Sequence, residues 1–260
     1  MAWIETHSRS FAARHDSRDA EATAGLLERL EEFRERAAER FPAAPGGVSV
    51  IVHPGLWQLG LAHPWLPLAR MAAAPASRRY FAGWFSLGEI HVLAPAALEE
   101  RASSVPGSRE ALDLAPQHEY AHLVVAASNP AAPPPFGLRG FPRYLRWAWL
   151  IEGAATWLAG QVPHLRAAVA RRLREGGKPD FPPSARDALV LGGSLFALLE
   201  RDAGPDACVA LAASSLDGHG PRPAIERVFE RPFLEVEAAW REHLTAYSAG
   251  HEPGRRRRRG

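Results

Sequence analysis

The chain has 260 residues and a single cysteine, Cys208. One thiol cannot form an internal disulfide, and it excludes a structural zinc site built from several cysteines. Cys208 stands between Ala207 and Val209, the setting of a small buried hydrophobe. Long apolar runs are also missing. None approaches the ~20 residues that a membrane helix needs, so no membrane span is expected. The opening Met1-Ala2-Trp3-Ile4-Glu5 has no basic stretch leading into an apolar core. No signal peptide is visible, and a cytoplasmic location is the expectation. No internal repeat is evident. Nor is there a large excess of one charge: the net charge is +2, and Arg255 to Arg259 supply five of the positives, which leaves the body at −3. A basic balance set by a terminal run says little about the folded part. Residues 251–260 read as a disordered basic tail. Without a basic face carrying interleaved aromatics, no specific nucleic-acid partner is expected.

What is present points to chemistry. His118-Glu119-Tyr120-Ala121-His122 opens an apolar run that continues Leu123-Val124-Val125-Ala126-Ala127. Pro116 precedes the motif, and neither glycine nor proline interrupts it, so the segment reads as a helix. Residues four apart lie on one helical face. Both imidazoles can therefore reach one metal ion, and Glu119 beside them can reach a water on that ion. A second segment offers a third ligand. Trp147 to Trp157 is a largely apolar helical stretch with one carboxylate, Glu152, in its middle. A buried carboxylate without a partner costs several kcal/mol, so Glu152 needs a cation or a hydrogen-bond donor. One zinc ion held by His118, His122 and Glu152 would meet that need, although two imidazoles and a carboxylate also suit other divalent metals.

These two segments resemble the gluzincin zinc metallopeptidases, the clan that includes thermolysin, and most closely the bacterial peptidase-MA-like domains. In that family a phrase such as Pro-x-Trp-Leu-x-Glu-Gly-x-Ala carries the third ligand. Pro142 to Ala154, with Trp149-Leu150-Ile151-Glu152-Gly153-Ala154 at its end, is a loose version of it. The resemblance implies that His118, His122 and Glu152 are the metal ligands and Glu119 the general base. Its implied function is a zinc-dependent peptidase acting on a peptide or protein substrate. The chain departs from the pattern in places. Thr156 stands where thermolysin-like enzymes carry an aspartate, and is expected as a neutral partner behind a ligand histidine. No tyrosine or histidine is assignable as the oxyanion donor. The alternative is therefore a metal-binding but inactive domain that serves protein or peptide binding.

The remaining pattern gives an α+β fold: a small N-terminal antiparallel or mixed sheet with helices, the zinc-site helices in the middle, and an all-helical C-terminal lobe. Residues 1–250 are expected as a single domain, with an α/β lobe to about 127 and a helical lobe from about 128. Residues 2–15 alternate loosely as a first strand, 19–41 read as an amphipathic helix, and 47–53 as a strand. Two short strands are expected at 80–84 and 89–93. By the resemblance, Glu89 to Leu93 is the edge strand that lines a substrate cleft. From 108 onward the pattern is helical, in segments near 109–127, 142–160, 163–175, 185–202, 205–214, 222–230 and 233–248. His91 reads first as a strand histidine facing solvent, and His219 as an exposed loop histidine. Tyr80 and Tyr144 read as packing aromatics, and Trp57 and Trp65 as local core.

Overall fold

The computed structural model describes residues 2–129, 131–132, 137–214 and 220–250. His219, the prolines at 130 and 133–135 and the tail from 251 lie outside them, as does the side chain of Trp65. The fold is α+β, with one mixed five-stranded sheet near the N-terminus and helices thereafter. Among the described residues, no helix is long and apolar enough to cross a membrane.

Residues 2–15 do not form one strand. They form a hairpin of β1 (Trp3–His7) and β2 (Phe11–Asp16), antiparallel in register Trp3↔Asp16. The polar Ser8-Arg9-Ser10 makes the turn, with Ser8 and Ser10 both donating to Glu31 Oε1. The helix α1 (Ala20–Ala38) then crosses to β3 (Val48–His53), which pairs parallel with β2. Leu26, Leu27, Leu30 and Phe33 recur on the buried face of α1. Burying side chains of this size stabilises by about 1.5–3 kcal/mol each, which is why a helix rich in Glu and Arg holds to the sheet.

After β3 the chain makes two helices that the periodicity did not reveal, α2 (Leu56–Ala62) and α3 (Trp65–Ala72). Each spans two turns or so, too short for a 3.6-residue rhythm to stand out. Trp57 and Leu61 are exposed rather than core; in this stretch it is Leu59 and Leu66 that are buried. Strand β4 (Gly83–Ser86) turns through Leu87-Gly88 into β5 (Glu89–Leu93), antiparallel to it. Gly88 takes φ 71°, a conformation that favours glycine. β5 pairs parallel with β3, so the sheet order is β1-β2-β3-β5-β4. The edge is therefore β4 and not β5, because the hairpin folds outward while β5 takes the inner place beside β3.

The helix α4 (Pro95–Arg101), with Pro95 at its start, leads to α5 (Ser108–Asp113) and α6 (Ala115–Ser128). The expected single helix over 109–127 breaks at Leu114, just before Pro116. Residues 115–125 of α6 are all buried, so the motif helix is enclosed on every side. Tyr120 anchors its inner face. Its ring lies edge-on to Phe11 (5.1 Å) and Phe33 (6.0 Å), and its hydroxyl donates to Pro45 O at 2.7 Å. With Tyr120 turned to the sheet, the other side of the helix is left for the histidines.

The helix α7 (Gly137–Leu158) contains Pro142 and crosses α9 (Ala188–Ala203). At that crossing a Cβ placed on Gly153 would lie 2.8 Å from the Gly192 carbonyl, and one on Gly192 would lie 2.8 Å from Trp149 O. Backbone meets backbone there because neither residue has a side chain. Between them lies α8 (Arg166–Arg174), tied to the start of α9 by a buried pair in which Arg172 meets both oxygens of Asp187 at 2.5 and 2.7 Å. The chain continues with α10 (Pro205–Ala212), α11 (Arg222–Phe229) and α12 (Phe233–Ser248), where Trp240 donates to Ser194 Oγ at 2.9 Å. Cys208 is buried, as its neighbours imply.

Candidate metal centre

His118 and His122 stand one turn apart on α6, and Glu152 faces them from α7. All three are buried. His118 Nε2 lies 3.1 Å from His122 Nε2 and 3.2 Å from Glu152 Oε2, and His122 Nε2 lies 3.7 Å from Glu152 Oε1. Ligands about 2.0–2.2 Å from a tetrahedral ion are spaced by roughly 3.3–3.6 Å along each edge. The three donor atoms thus have the separation of three corners of such a site, and the group could hold a metal ion. Nitrogen and carboxylate donors in this ratio suit zinc and several other divalent ions.

The charges of the triad compensate one another. Burial on its own raises the Glu152 carboxyl, but His122 and the hydrogen bond from His118 outweigh it and hold the group well below the usual carboxylate range. Burial opposes the charged form of His118, yet the Glu152 carboxylate raises its pKa overall. His122 has no such hydrogen bond, and burial lowers it to about 3, leaving a neutral imidazole suited to ligation.

The supports around the triad come from four elements. His118 Nδ1 is 2.8 Å from Gln161 Oε1, and Gln161 Nε2 donates to Ala111 O at 2.7 Å. An amide oxygen accepts, so His118 donates from Nδ1 to Gln161, and Nε2 is the nitrogen that faces the centre. Phe85 of β4 stacks on the His122 ring at 4.1 Å and 18°. Tyr144, two turns before Glu152 on α7, donates to Glu152 Oε1 at 2.6 Å. Glu119 is buried against Gly83 of the edge strand, where a Cβ would come 2.5 Å from Glu119 Cγ and Oε1. A side chain at 83 would have to displace the Glu119 carboxyl. Burial raises the Glu119 carboxyl to about 8; the positive His118 opposes this and Glu152 adds to it.

The structure brings together His118, His122, Glu152 and Glu119, and it adds two residues that sequence reasoning missed. Thr156, expected behind a ligand histidine, has its hydroxyl buried without a hydrogen-bond partner; Gln161 occupies that role instead. Gln161 lies beyond the end of α7, where no periodicity or motif singles out a glutamine. Tyr144 is more than a packing aromatic, since its hydroxyl binds the ligand carboxylate. Its position eight residues before Glu152 on one helix was the available signal.

His91 is buried rather than solvent-facing. It lies in a second group: His91 Nε2 is 2.6 Å from Glu89 Oε1, His91 Nδ1 is 2.9 Å from His53 Nε2, and the His63 ring meets it edge-on at 3.9 Å. Tyr80 is remote from the triad and lines a separate cavity. No protein-family model, no curated protein and no solved structure matches the chain.

Proposed function

We propose that this chain is a zinc-dependent peptidase of the gluzincin type, with His118, His122 and Glu152 as ligands and Glu119 as general base. The observation that carries the reading is the convergence of three buried donors from two helices with the buried carboxyl of Glu119 on the same helix as the histidines. A closed structural site normally has four protein ligands and needs no base; among the described residues this group has three. A zinc ion bound there would lower the pKa of its water to about 7 and polarise the scissile carbonyl.

The chain's own residues supply the proton path. Glu119 is a buried carboxyl beside the ligand histidines, the group type that accepts and returns a proton in general base catalysis. It takes the proton of the attacking water and delivers it to the leaving amine. Tyr144 stays protonated, because burial and the neighbouring Glu152 push its phenol well above its usual value. Its single O–H is committed to Glu152 Oε1, so Tyr144 steadies the ligand carboxylate. Gln161 and Phe85 hold the two imidazoles in the ligating orientation. β4 is the last strand of the sheet, and its Gly83 lies against Glu119.

The test is a casein or quenched-peptide assay on zinc-loaded protein, with and without chelator. Cleavage is expected and should stop on chelation. Glu119→Gln should keep the metal and lose about 10²- to 10⁴-fold in turnover. A protein that binds zinc yet cleaves nothing would favour the peptide-binding alternative. A Glu119→Gln variant as active as the parent would refute the assigned base.

A further inference from the structure

Away from the triad, a cavity of about 590 Å³ opens between α3, α4, α8 and the turn that precedes β4. Its polar lining is dominated by arginines: Arg70 of α3, Arg78 and Arg79 of the turn, Arg101 of α4 and Arg171 of α8. Among the described residues, only Arg171 of these five forms an ion pair, with Glu175 at 3.1 Å. Arg78, Arg79 and Arg101 spend donors on backbone carbonyls instead. Arg78 binds Ala73 O and Met71 O, each at 3.2 Å, and Arg79 binds Arg101 O at 3.3 Å. Arg101 reaches Arg79 O, Arg78 O and Phe81 O. Arg70 has its Nε buried with no acceptor. The one acidic side chain lining the cavity, Glu100, is exposed and pairs with none of them.

Arg172 shows the contrasting arrangement. It is buried and is matched by both oxygens of Asp187. At Arg172 the chain provides a carboxylate; around the cavity Arg70, Arg78, Arg79 and Arg101 have none among the described residues. The cost is visible at Arg101, which burial, and then the nearby Arg70 and Arg79, lower to about 10. Like charges held together in a concave, partly dry place strengthen one another's field toward an anion.

We propose that this cavity is a binding site for a small organic phosphate, with Arg70, Arg79 and Arg101 holding the phosphate. A dianion with three acceptor oxygens answers several converging guanidiniums, whereas a carboxylate would leave most of them unmatched. The volume lies within the roughly 300–1,000 Å³ of small-molecule sites. Leu56, Ala97, Val105 and Ala168, with the Tyr80 ring, provide an apolar wall for the body of such a molecule. The site is separate from the triad, since none of its lining residues is His118, Glu119, His122 or Glu152. The inference does not rest on the peptidase reading.

The experiment is calorimetric titration of the full chain with inorganic pyrophosphate at physiological salt, repeated on Arg70→Gln and His122→Ala. Pyrophosphate should bind saturably, one per chain. Arg70→Gln should weaken it by about tenfold or more, the scale of a lost charge-assisted hydrogen bond. Arg70 has no hydrogen-bond or ion-pair partner among the described residues, so its replacement should leave the circular dichroism unchanged; Arg79→Gln serves as a second variant if it does not. Binding that survives both substitutions, as it would on the arginines at 255–259, overturns the proposal. Loss of binding in His122→Ala would put the anion on the triad and also overturn it. So would co-sedimentation with phosphatidic-acid vesicles when soluble pyrophosphate is not bound, since the proposal is for a soluble ligand.

Discussion

His118, His122 and Glu152 project from two helices, and His53, His91 and Glu89 from two neighbouring strands. The residue types are the same, two imidazoles and a carboxylate, but the geometry differs. On the helices three donor atoms converge within 3.1–3.7 Å of one another. On the strands the groups form a line: Glu89 to His91 at 2.6 Å, then His91 to His53 at 2.9 Å through the other ring nitrogen. Each contact in the line consumes an acceptor that a metal would need. The backbone explains this. An i, i+4 pair on a helix points both rings to one side, while Ile51↔His91 pairing sets His53 and His91 as diagonal neighbours on one face of the sheet. Side chains there stand parallel to one another, and the two rings accordingly stack at 17°. Composition alone does not make a cage; the direction in which the element aims its side chains does.

The sharpest way to break this comparison is to remove one carboxylate from each group. Glu152→Ala should abolish stoichiometric zinc binding, measured by elemental analysis after dialysis, while Glu89→Ala should leave one zinc per chain. Glu89 is over a third exposed and holds only His91, whereas Glu152 is buried among three partners. Equal losses in both variants would mean that the strand cluster also binds metal.

A smaller effect is expected one step out from the triad. Gln161→Ala removes the acceptor for His118 Nδ1 and should weaken zinc affinity by about 10- to 100-fold, the usual scale for a partner behind a ligand. Thr156→Val, at the position expected from sequence, should change affinity little, because the Thr156 hydroxyl has no partner. A competition titration with a chromophoric chelator distinguishes them, and the reverse ranking would show that Thr156 is the true support.

The smallest effect concerns pH. Burial, and after it the neighbouring His91, lowers His53 and His63 to about 4 from 6.5. Folded values below the unfolded one mean that the unfolded chain binds more protons between about 4 and 6.5. Stability should therefore fall as pH drops from 6.5 toward 4 and be insensitive to these groups above 6.5. One such imidazole contributes at most about 1.4 kcal/mol per pH unit, and partial wetting of the rings reduces this. His63→Phe, which keeps a ring against Trp84, should flatten the melting temperature between pH 4 and 6.5. An unchanged slope would show that the cluster is already protonated or open to water.

Local signals carried much of this molecule. The histidine pair, the lone carboxylate in an apolar helix and the long helices from α6 to α12 are written in spacing, and spacing is legible. So was the α+β order of strands before helices. What escaped depends on contacts between distant residues. The edge position of β4 follows from β5 choosing β3 as partner, which no pattern within 83–93 encodes. Tyr144 and Gln161 matter only because α7 brings them to His118 and Glu152. The burial of His91 required knowing that α2 ends with His63 over it. The arginine cavity is assembled from residues spread between 70 and 171, each ordinary in its own stretch.

Gly83, Gly153 and Gly192 give this a further meaning. A side chain at 83 would displace the Glu119 carboxyl, and one at 153 or 192 would push α7, with Glu152 on it, away from α9. The centre is specified by absences as much as by its ligands. A chain could keep His118-Glu119-x-x-His122 letter for letter and, with valine at 83, have its Glu119 carboxyl pushed from its place. Judging whether a distant sequence shares this centre therefore requires reading three positions that contribute no atom beyond the backbone.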